Sequence, residues 1–541
     1  MIRKVLYYQR SRPYGGGNPR EAVMKIRTAA VVLTTLLATS VSASVTVSPS
    51  ATAAAAVAFG AIVPAPVSAV PAAGVTYLIT AATAVYSEAP EVGEQLARQL
   101  RRSTGYPVPI VTAPPADGIT LRLGEVAGGD EAYQLDVTAT GVVVLANRAA
   151  GLFNGVQTLR QLLPYAADAA TVQPGPWPVP GGRIVDRPRY PYRGAMLDVA
   201  RHFFPVGAVE RYLDQIALYK INYLHLHLSD DQGWRIAVDS WPRLASYGGS
   251  TAVGGDPGGS YTKAQYQEII AYAAARNITI VPEIDMPGHT NAALASYGQL
   301  TCDGVAPPLY TGTDVGFSSL CTSKEITYTF VDQVIGELAA LTPGPYLHIG
   351  GDEAASTAPA DYKAFVDRVQ GIVTAHGKTV MGWHDVVKAT PLPTTLVQYW
   401  GSDPTETAVS TAGRKVVMSP SARTYLDMKY NRRTPLGQTW AGLIEVKDAY
   451  GWNPGAYLRR LPPEQVLGVE APLWTETIRT PADIDYMAFP RLPALAELAW
   501  SPYATHDWTA FRQRLGAQGP RWRVMGIAYY RSTQIAWPSG S

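Results

Sequence analysis

The chain is short of cysteine and of charge. Only two cysteines occur in 541 residues, too few for a disulfide-scaffolded fold or a cysteine-rich metal site. Charged residues are 16% of the chain and the net charge is +2. No basic stripe suggests nucleic acid, and no acidic tail suggests a disordered, solvating region. There are only eight histidines, few for a protein built around metal ions. A Gly-rich stretch, Gly248–Gly259, lacks the Gly-Lys-Ser/Thr ending of a phosphate loop and reads as a surface loop. The apolar run Ala29–Ala38 is too short to span a bilayer comfortably.

What is present is apolar mass and aromatic rings: 47% hydrophobic residues, with 31 Tyr and 12 Trp. The length allows two or three domains. Met24-Lys25-Ile26-Arg27, the apolar run and the small-residue exit Val41-Ser42-Ala43 have the three parts of a secretory signal peptide. Translation is expected to begin at Met24, with residues 1–43 comprising an extension and the signal. Residues 44–73, rich in Ala, Ser, Val and Pro, read as a linker. Export to an oxidising compartment leads to the expectation that Cys302 and Cys321 are joined, closing a loop of about 20 residues that contributes roughly 3 kcal/mol.

Residues 74–187 read as a small α+β domain. Val92, Leu96 and Leu100 share a helical face, as do Leu152, Val156, Leu159 and Leu163. Ile119–Leu123 alternates like a strand, and Tyr133–Val137 with Val142–Leu145 reads as a hairpin. Over 188–541 the pattern becomes strand–helix alternation. The expected strands are Gly194–Val199, Tyr223–Leu228, Ile278–Ile284, Tyr346–Ile349, Thr379–Trp383, Leu396–Trp400, Val416–Met418 and Val466–Val469. The fold expected is a (β/α)8 TIM barrel preceded by the small α+β domain; the sixth to eighth helices are poorly marked.

Polar and aromatic residues follow almost every expected strand on its C-terminal side, where barrel enzymes build their sites. Arg201 and His202 follow the first, Asp230 and Asp231 the second, Asp285 and His289 the third. The fourth ends in His348-Ile349-Gly350-Gly351-Asp352-Glu353. Two glycines let the chain leave the strand and present adjacent carboxylates on one side. Such neighbours repel, so one should hold its proton well above the roughly 4 of a free carboxyl. Taken alone, the hexapeptide is equally a solvated surface turn. Trp383, Trp400, Tyr425, Asp427, Trp474 and Glu476 complete the rim. Tryptophan faces with Arg and carboxylates suit a sugar. Yet two neighbouring acids cannot easily straddle a glycosidic bond as a nucleophile and acid pair does.

Tyr223–Trp234, Val281–Thr290, His348–Glu353 and Ala471–Glu476 together resemble the family-twenty glycoside hydrolases, the β-N-acetylhexosaminidases, and among them secreted actinobacterial (Streptomyces-type) members. The resemblance covers about residues 74–535. It implies an exo-acting retaining enzyme in which the substrate's own 2-acetamido group is the nucleophile. Glu353 would be the acid and base, Asp352 would hold the acetamido group, and Tyr425 would bond its carbonyl oxygen. Trp383, Trp400 and Trp474 would enclose the sugar. Arg201, Asp427 and Glu476 would bind hydroxyls, and Asp230 and His289 would support Glu353. The implied partners are β-linked N-acetylhexosamine oligosaccharides, with no nucleic acid, no membrane after signal cleavage, no cofactor and no metal; a monomer is expected. A rival reading takes His225-Leu226-His227 as a divalent-metal motif. Both residues lie mid-strand, where histidines bonded within the core are commoner. A second rival, a non-catalytic sugar-binding barrel, should lack the acid that Glu353 supplies.

Overall fold

The computed structural model describes residues 57–403 and 406–538. The expected signal peptide and the start of the linker lie outside them.

The first layer is a six-stranded sheet: β1 (Ser68–Ile79), β2 (Ala84–Ser87), β3 (Gly118–Leu123), β4 (Tyr133–Val137), β5 (Gly141–Ala146) and β6 (Trp177–Asp186), in the order β1-β6-β4-β5-β3-β2. The β4–β5 hairpin pairs Val137 with Val142. Helices α1 (Pro90–Thr104) and α2 (Ala149–Leu162) pack on the sheet. Proline opens α1 and left-handed Gly105 closes it, its amide donating to Arg101 O.

The linker expectation is corrected over residues 57–73. Ile62 and Val63 are fully buried, and β1 begins at Ser68. Val63 N donates to Gln161 Oε1 at 3.0 Å, and Ala65 N to Glu497 Oε2 at 3.0 Å. The composition resembles a linker, but its few large apolar side chains fall in a seam where partners for the backbone are waiting.

The second layer is a closed barrel of eight parallel strands. They are β7 (Tyr192–Asp198), β8 (Tyr223–His227), β11 (Thr279–Glu283), β12 (Tyr346–His348), β13 (Thr379–Trp383), β14 (Leu396–Tyr399), β15 (Val416–Met418) and β16 (Val466–Ala471). A two-residue ribbon, β9 (Ser229–Asp230) with β10 (Gly233–Trp234), follows β8. The early helices are long: α3 (Val206–Ala217), α4 (Lys263–Ala274), then, after a short α5 (Asn291–Ser296), α6 (Glu325–Leu341) and α7 (Pro359–Ala375). The buried faces of α3, α6 and α7 are those the apolar spacing marks: Val209, Tyr212, Leu213 and Ile216; Phe330, Val331, Val334, Ile335 and Leu338; and Tyr362, Phe365, Val366, Val369 and Val373.

After β14 and β15 the helices shrink to α8 (Thr407–Thr411), α9 (Ser421–Thr424) and α10 (Val446–Tyr450). This is why the sequence marks them weakly: that arc is built from loops that reach over the barrel mouth. Helices α11 (Pro481–Ala488) and α12 (Arg491–Trp500) close the ring, and α13 (Trp508–Gly516) and α14 (Gly519–Val524) follow. Arg521 of α14 pairs with the buried Asp168, and Trp500 Nε1 donates to Asp186 Oδ2 at 3.0 Å, joining the two layers.

The barrel interior is layered. Tyr192, Val281, Met381, Leu396 and Val417 form an apolar cluster towards one end. Above it lies a fully buried polar layer of His225, Glu283, His348, Gln398 and Glu470. His225 Nδ1 lies 2.9 Å from Glu470 Oε1 and its Nε2 3.0 Å from Glu283 Oε2; Gln398 Nε2 donates to Glu470 Oε1 at 2.7 Å. Burial alone would lower His225, but Glu470 and Glu283 override it and push the imidazole up to about 9. His225, Glu283 and His348 bring ligand atoms within 4.8 Å of one another, close enough to share a cation. His225 bonds Glu470, and Glu470 and Glu283 act as counter-ions to its ring, whereas burial holds His348 below its usual value and its Nδ1 accepts the Gly350 amide.

Candidate active site

Strand β12 delivers the two neighbouring acids. Gly350 and Gly351 have φ of 65° and 101°, values open to glycine at little cost. A side chain at Gly350 would place its Cβ 1.7 Å from Asp285 Oδ1. The same Asp285 oxygen accepts the Gly351 amide at 3.0 Å. The turn is thus fixed from the neighbouring strand end, and it projects Asp352 inward and Glu353 towards the open mouth. Asp352 is 9% exposed, whereas the Glu353 side chain is 37% exposed.

One imidazole serves both acids. His289 Nε2 lies 3.4 Å from Glu353 Oε2 and 3.7 Å from Asp352 Oδ2. Its Nδ1 donates to Asp230 Oδ1 at 3.2 Å, and Asp230 Oδ2 forms an ion pair with Arg201 at 2.8 Å. Burial opposes charge on His289, but Asp230 and Asp352 outweigh it and raise the ring well above its usual value. Burial would raise Asp230, yet Arg201 and His289 hold it below the usual carboxylate range. The expected repulsion between neighbours falls on Asp352: burial first, then Glu353, lift it to about 6 against the pull of His289. Asp285 beneath it is also raised, by burial and by Asp352.

The remaining wall is aromatic and anionic. Trp383 and Trp474 have ring centroids 5.6 Å apart, and Tyr425 lies 6.2 Å from Trp474. Arg201 stacks 4.8 Å over Trp474. Trp400 is anchored through its Nε1 to Asp385 Oδ2 at 3.0 Å. Burial, then Asp352 and Asp427, keep the Tyr425 hydroxyl protonated far above its usual value. Asp427 is raised by burial and by Glu476, and Glu476 by burial. Among the described residues, Asp427 Oδ1 and Oδ2, Glu476 Oε2, Asp352 Oδ1, Trp383 Nε1 and Arg201 Nε make no hydrogen bond although buried. Buried polar atoms are normally satisfied; so many in one aromatic-walled pocket fit a ligand carrying several hydroxyl or amide groups.

Arg201, Asp230, His289, Asp352, Glu353, Trp383, Tyr425 and Trp474 are thus linked by the contacts above, whereas His202 turns to Thr475 O and Asp256, and Asp231 to Ser318 and Asn291. Cys302 and Cys321 lie on a loop beside the mouth and are joined. The sequence reading gave no role to Asp285, to Asp385, or to Trp440, which is 57% exposed and meets Trp400 and Tyr425 edge-on. Asp285 carried a signal in its place after β11; Trp440 carried none, since it lies in a loop without periodicity.

Residues 190–503 match the model of the glycosyl hydrolase family 20 catalytic domain, and residues 60–187 that of glycosyl hydrolase family 20, domain 2. The chain belongs to glycosyl hydrolase family 20. The family 20 domain 2 match starts at residue 60, not 74, in keeping with the buried segment above. A Cellulomonas fimi beta-N-acetylhexosaminidase is 44% identical over 88% of this chain and 97% of its own length. The structure of the GH20 beta-N-acetylhexosaminidase from Streptomyces coelicolor A3(2) is 58% identical, with a TM-score of 0.87, covering 90% of this chain and all of that one. A mutant Streptomyces plicatus beta-hexosaminidase, solved in complex with product GlcNAc, is likewise 58% identical with a TM-score of 0.87, covering 89% of this chain and 99% of that one. This family 20 chain is a glycoside hydrolase of the Streptomyces-type hexosaminidase group.

Proposed function

We propose that the enzyme is exo-acting and retaining, and removes terminal β-linked N-acetylglucosamine or N-acetylgalactosamine from chitooligosaccharides and glycoconjugates. The reading is carried by the pairing of Asp352 and Glu353 on one turn beside one imidazole. Two such acids share a side of the pocket, which leaves the nucleophile to the substrate. Its acetamido oxygen attacks the anomeric carbon as the glycosidic bond breaks, and Glu353 gives its proton to the departing oxygen. Asp352 accepts the acetamido N–H and faces the positive charge of the oxazolinium. Tyr425 donates to the acetamido oxygen. Water, deprotonated by Glu353, then opens the ring from the β face.

Trp383, Trp400 and Trp474 enclose the sugar, and Arg201, Asp427 and Glu476 take its hydroxyls. The product GlcNAc in the S. plicatus relative supports the substrate class. The test is hydrolysis of a chromogenic N-acetyl-β-glucosaminide with the released anomer followed by NMR. The β-anomer should appear first, plain β-glucosides should be poor substrates, and a thiazoline analogue of the oxazolinium should bind far more tightly than product. Inversion, or a glycosyl ester trapped on a carboxylate, overturns the mechanism.

The enzyme is further proposed to be secreted, on the strength of the basic, apolar and small-residue segments over residues 24–43. Terminal sequencing of protein from the medium tests export: a chain still beginning at Met1 or Met24 contradicts it.

A further inference from the structure

Two non-glycine residues at the mouth have left-handed backbones, His289 with φ 55° and Glu353 with φ 45°. Such conformations cost roughly 1–3 kcal/mol and persist only where the surroundings impose them. One segment reaches the loops that carry both: the chain between Cys302 and Cys321, which has no helix or strand of its own.

Towards His289, Leu320 N donates to Pro287 O at 2.9 Å. Ser318 Oγ accepts the Thr290 amide at 2.9 Å and donates to Asp231 Oδ1 at 2.5 Å, and that same oxygen takes the Asn291 amide at 2.9 Å. Towards Glu353, Ser356 Oγ donates to Gly316 O at 2.7 Å, and the Ser319 and Thr357 hydroxyls bond at 2.6 Å. Gly316 presses so close that a Cβ there would lie 3.0 Å from Glu353 O. The far end of the loop is tied to α6, where Thr327 Oγ1 donates to Cys321 O at 2.8 Å.

We infer that the loop 302–321 is a clamp that sets the approach of His289 to Glu353, with Ser318 as its positioning residue and the disulfide as its fastening. The inference rests on Glu353 being the general acid. A loop of this length without regular structure loses its shape when its closure is opened. Glu353 would then no longer be held beside His289, now 3.4 Å away, and displacements of about 1 Å can cost a hundredfold in rate. The loss is selective. It falls on leaving groups that need a proton and spares those that depart unaided.

The experiment compares wild type, Ser318→Ala, Ser318→Thr and Cys302→Ser/Cys321→Ser on N-acetyl-β-glucosaminides of 4-nitrophenol and of simple alcohols. Ser318→Ala keeps the disulfide, so it reports even if the double variant does not fold. For Ser318→Ala, kcat on the alcohol glycosides is expected to fall at least about tenfold, with the nitrophenyl rate changed less than about threefold and KM little altered; Ser318→Thr restores the hydroxyl and most of the rate. Equal losses on both substrate types mark a fall in folded enzyme and overturn the clamp, as does an unchanged leaving-group profile. If wild type cleaves neither substrate, it is the functional reading that fails.

Discussion

Asp352 and Glu353 are neighbours in sequence but differ in surroundings, and their predicted roles follow from that difference. Asp352 is buried, faces His289, and is lifted to about 6. Glu353 is partly open to the mouth. Glu353→Gln keeps the shape without the proton; its rate on poor leaving groups should fall at least about a hundredfold, and less on nitrophenyl glycosides. In the proposed mechanism the ionised form of Asp352 accepts the acetamido N–H, so kcat/KM should drop as pH falls through about 6. The stability linkage has the opposite slope. The unfolded chain ionises this group near pH 4 while the folded one holds its proton to about 6, so its contribution to stability is present below about pH 4 and is lost as pH rises to 6. Asp352→Asn should therefore be almost inactive, yet melt at least as high as wild type above pH 6, as calorimetry across pH 4–7 can determine.

At the scale of the element, the turn after β12 depends on Gly350. Its φ is 65° and a Cβ would strike Asp285 Oδ1. Gly377 has φ 74° and nothing within 4 Å of its would-be Cβ. Gly377→Ala should cost only the left-handed penalty, about 1–2 kcal/mol. Gly350→Ala should cost more by denaturant melt, and should lower activity strongly because the turn that aims both acids must shift. Equal effects of the two substitutions would show that the Asp285 contact does not matter. The helices that follow β14 and β15 are short for the same reason the mouth is functional: the chain there is spent on loops carrying Tyr425, Asp427 and Trp440.

For the whole molecule, the seam between the small domain and the barrel includes residues 57–73. Phe59, Ile62 and Val63 are buried, and Ser501 Oγ donates to Ala65 O at 2.6 Å. A chain begun at Gly74 loses these side chains, each worth about 1.5–3 kcal/mol on burial. It should melt lower than a chain begun at Val57, while retaining kcat when folded, since the segment bonds to α2 and α12 rather than to the rim. Unchanged thermal stability would return the segment to the status of a linker.

The sequence by itself determined the barrel, three of its helices (α3, α6 and α7) and the acid turn. Apolar periodicity records which face is buried, and two glycines before two acids record where a strand must end. It also determined the rim, since residues just past successive parallel strands converge whatever the loops do. The tertiary structure alone decided what each rim residue experiences. His289 bridges acids that lie 63 and 64 positions further along the chain, so its charge depends on contacts that no local pattern encodes. The polar layer of His225, Glu283 and Glu470 is stable only because strands from distant parts of the chain close a ring around it. The Ala- and Pro-rich start looked unstructured because its burial comes from two partner surfaces, α2 and α12, far away in sequence. Local composition reports propensity, whereas burial and charge are set by whichever surfaces the fold brings against a residue.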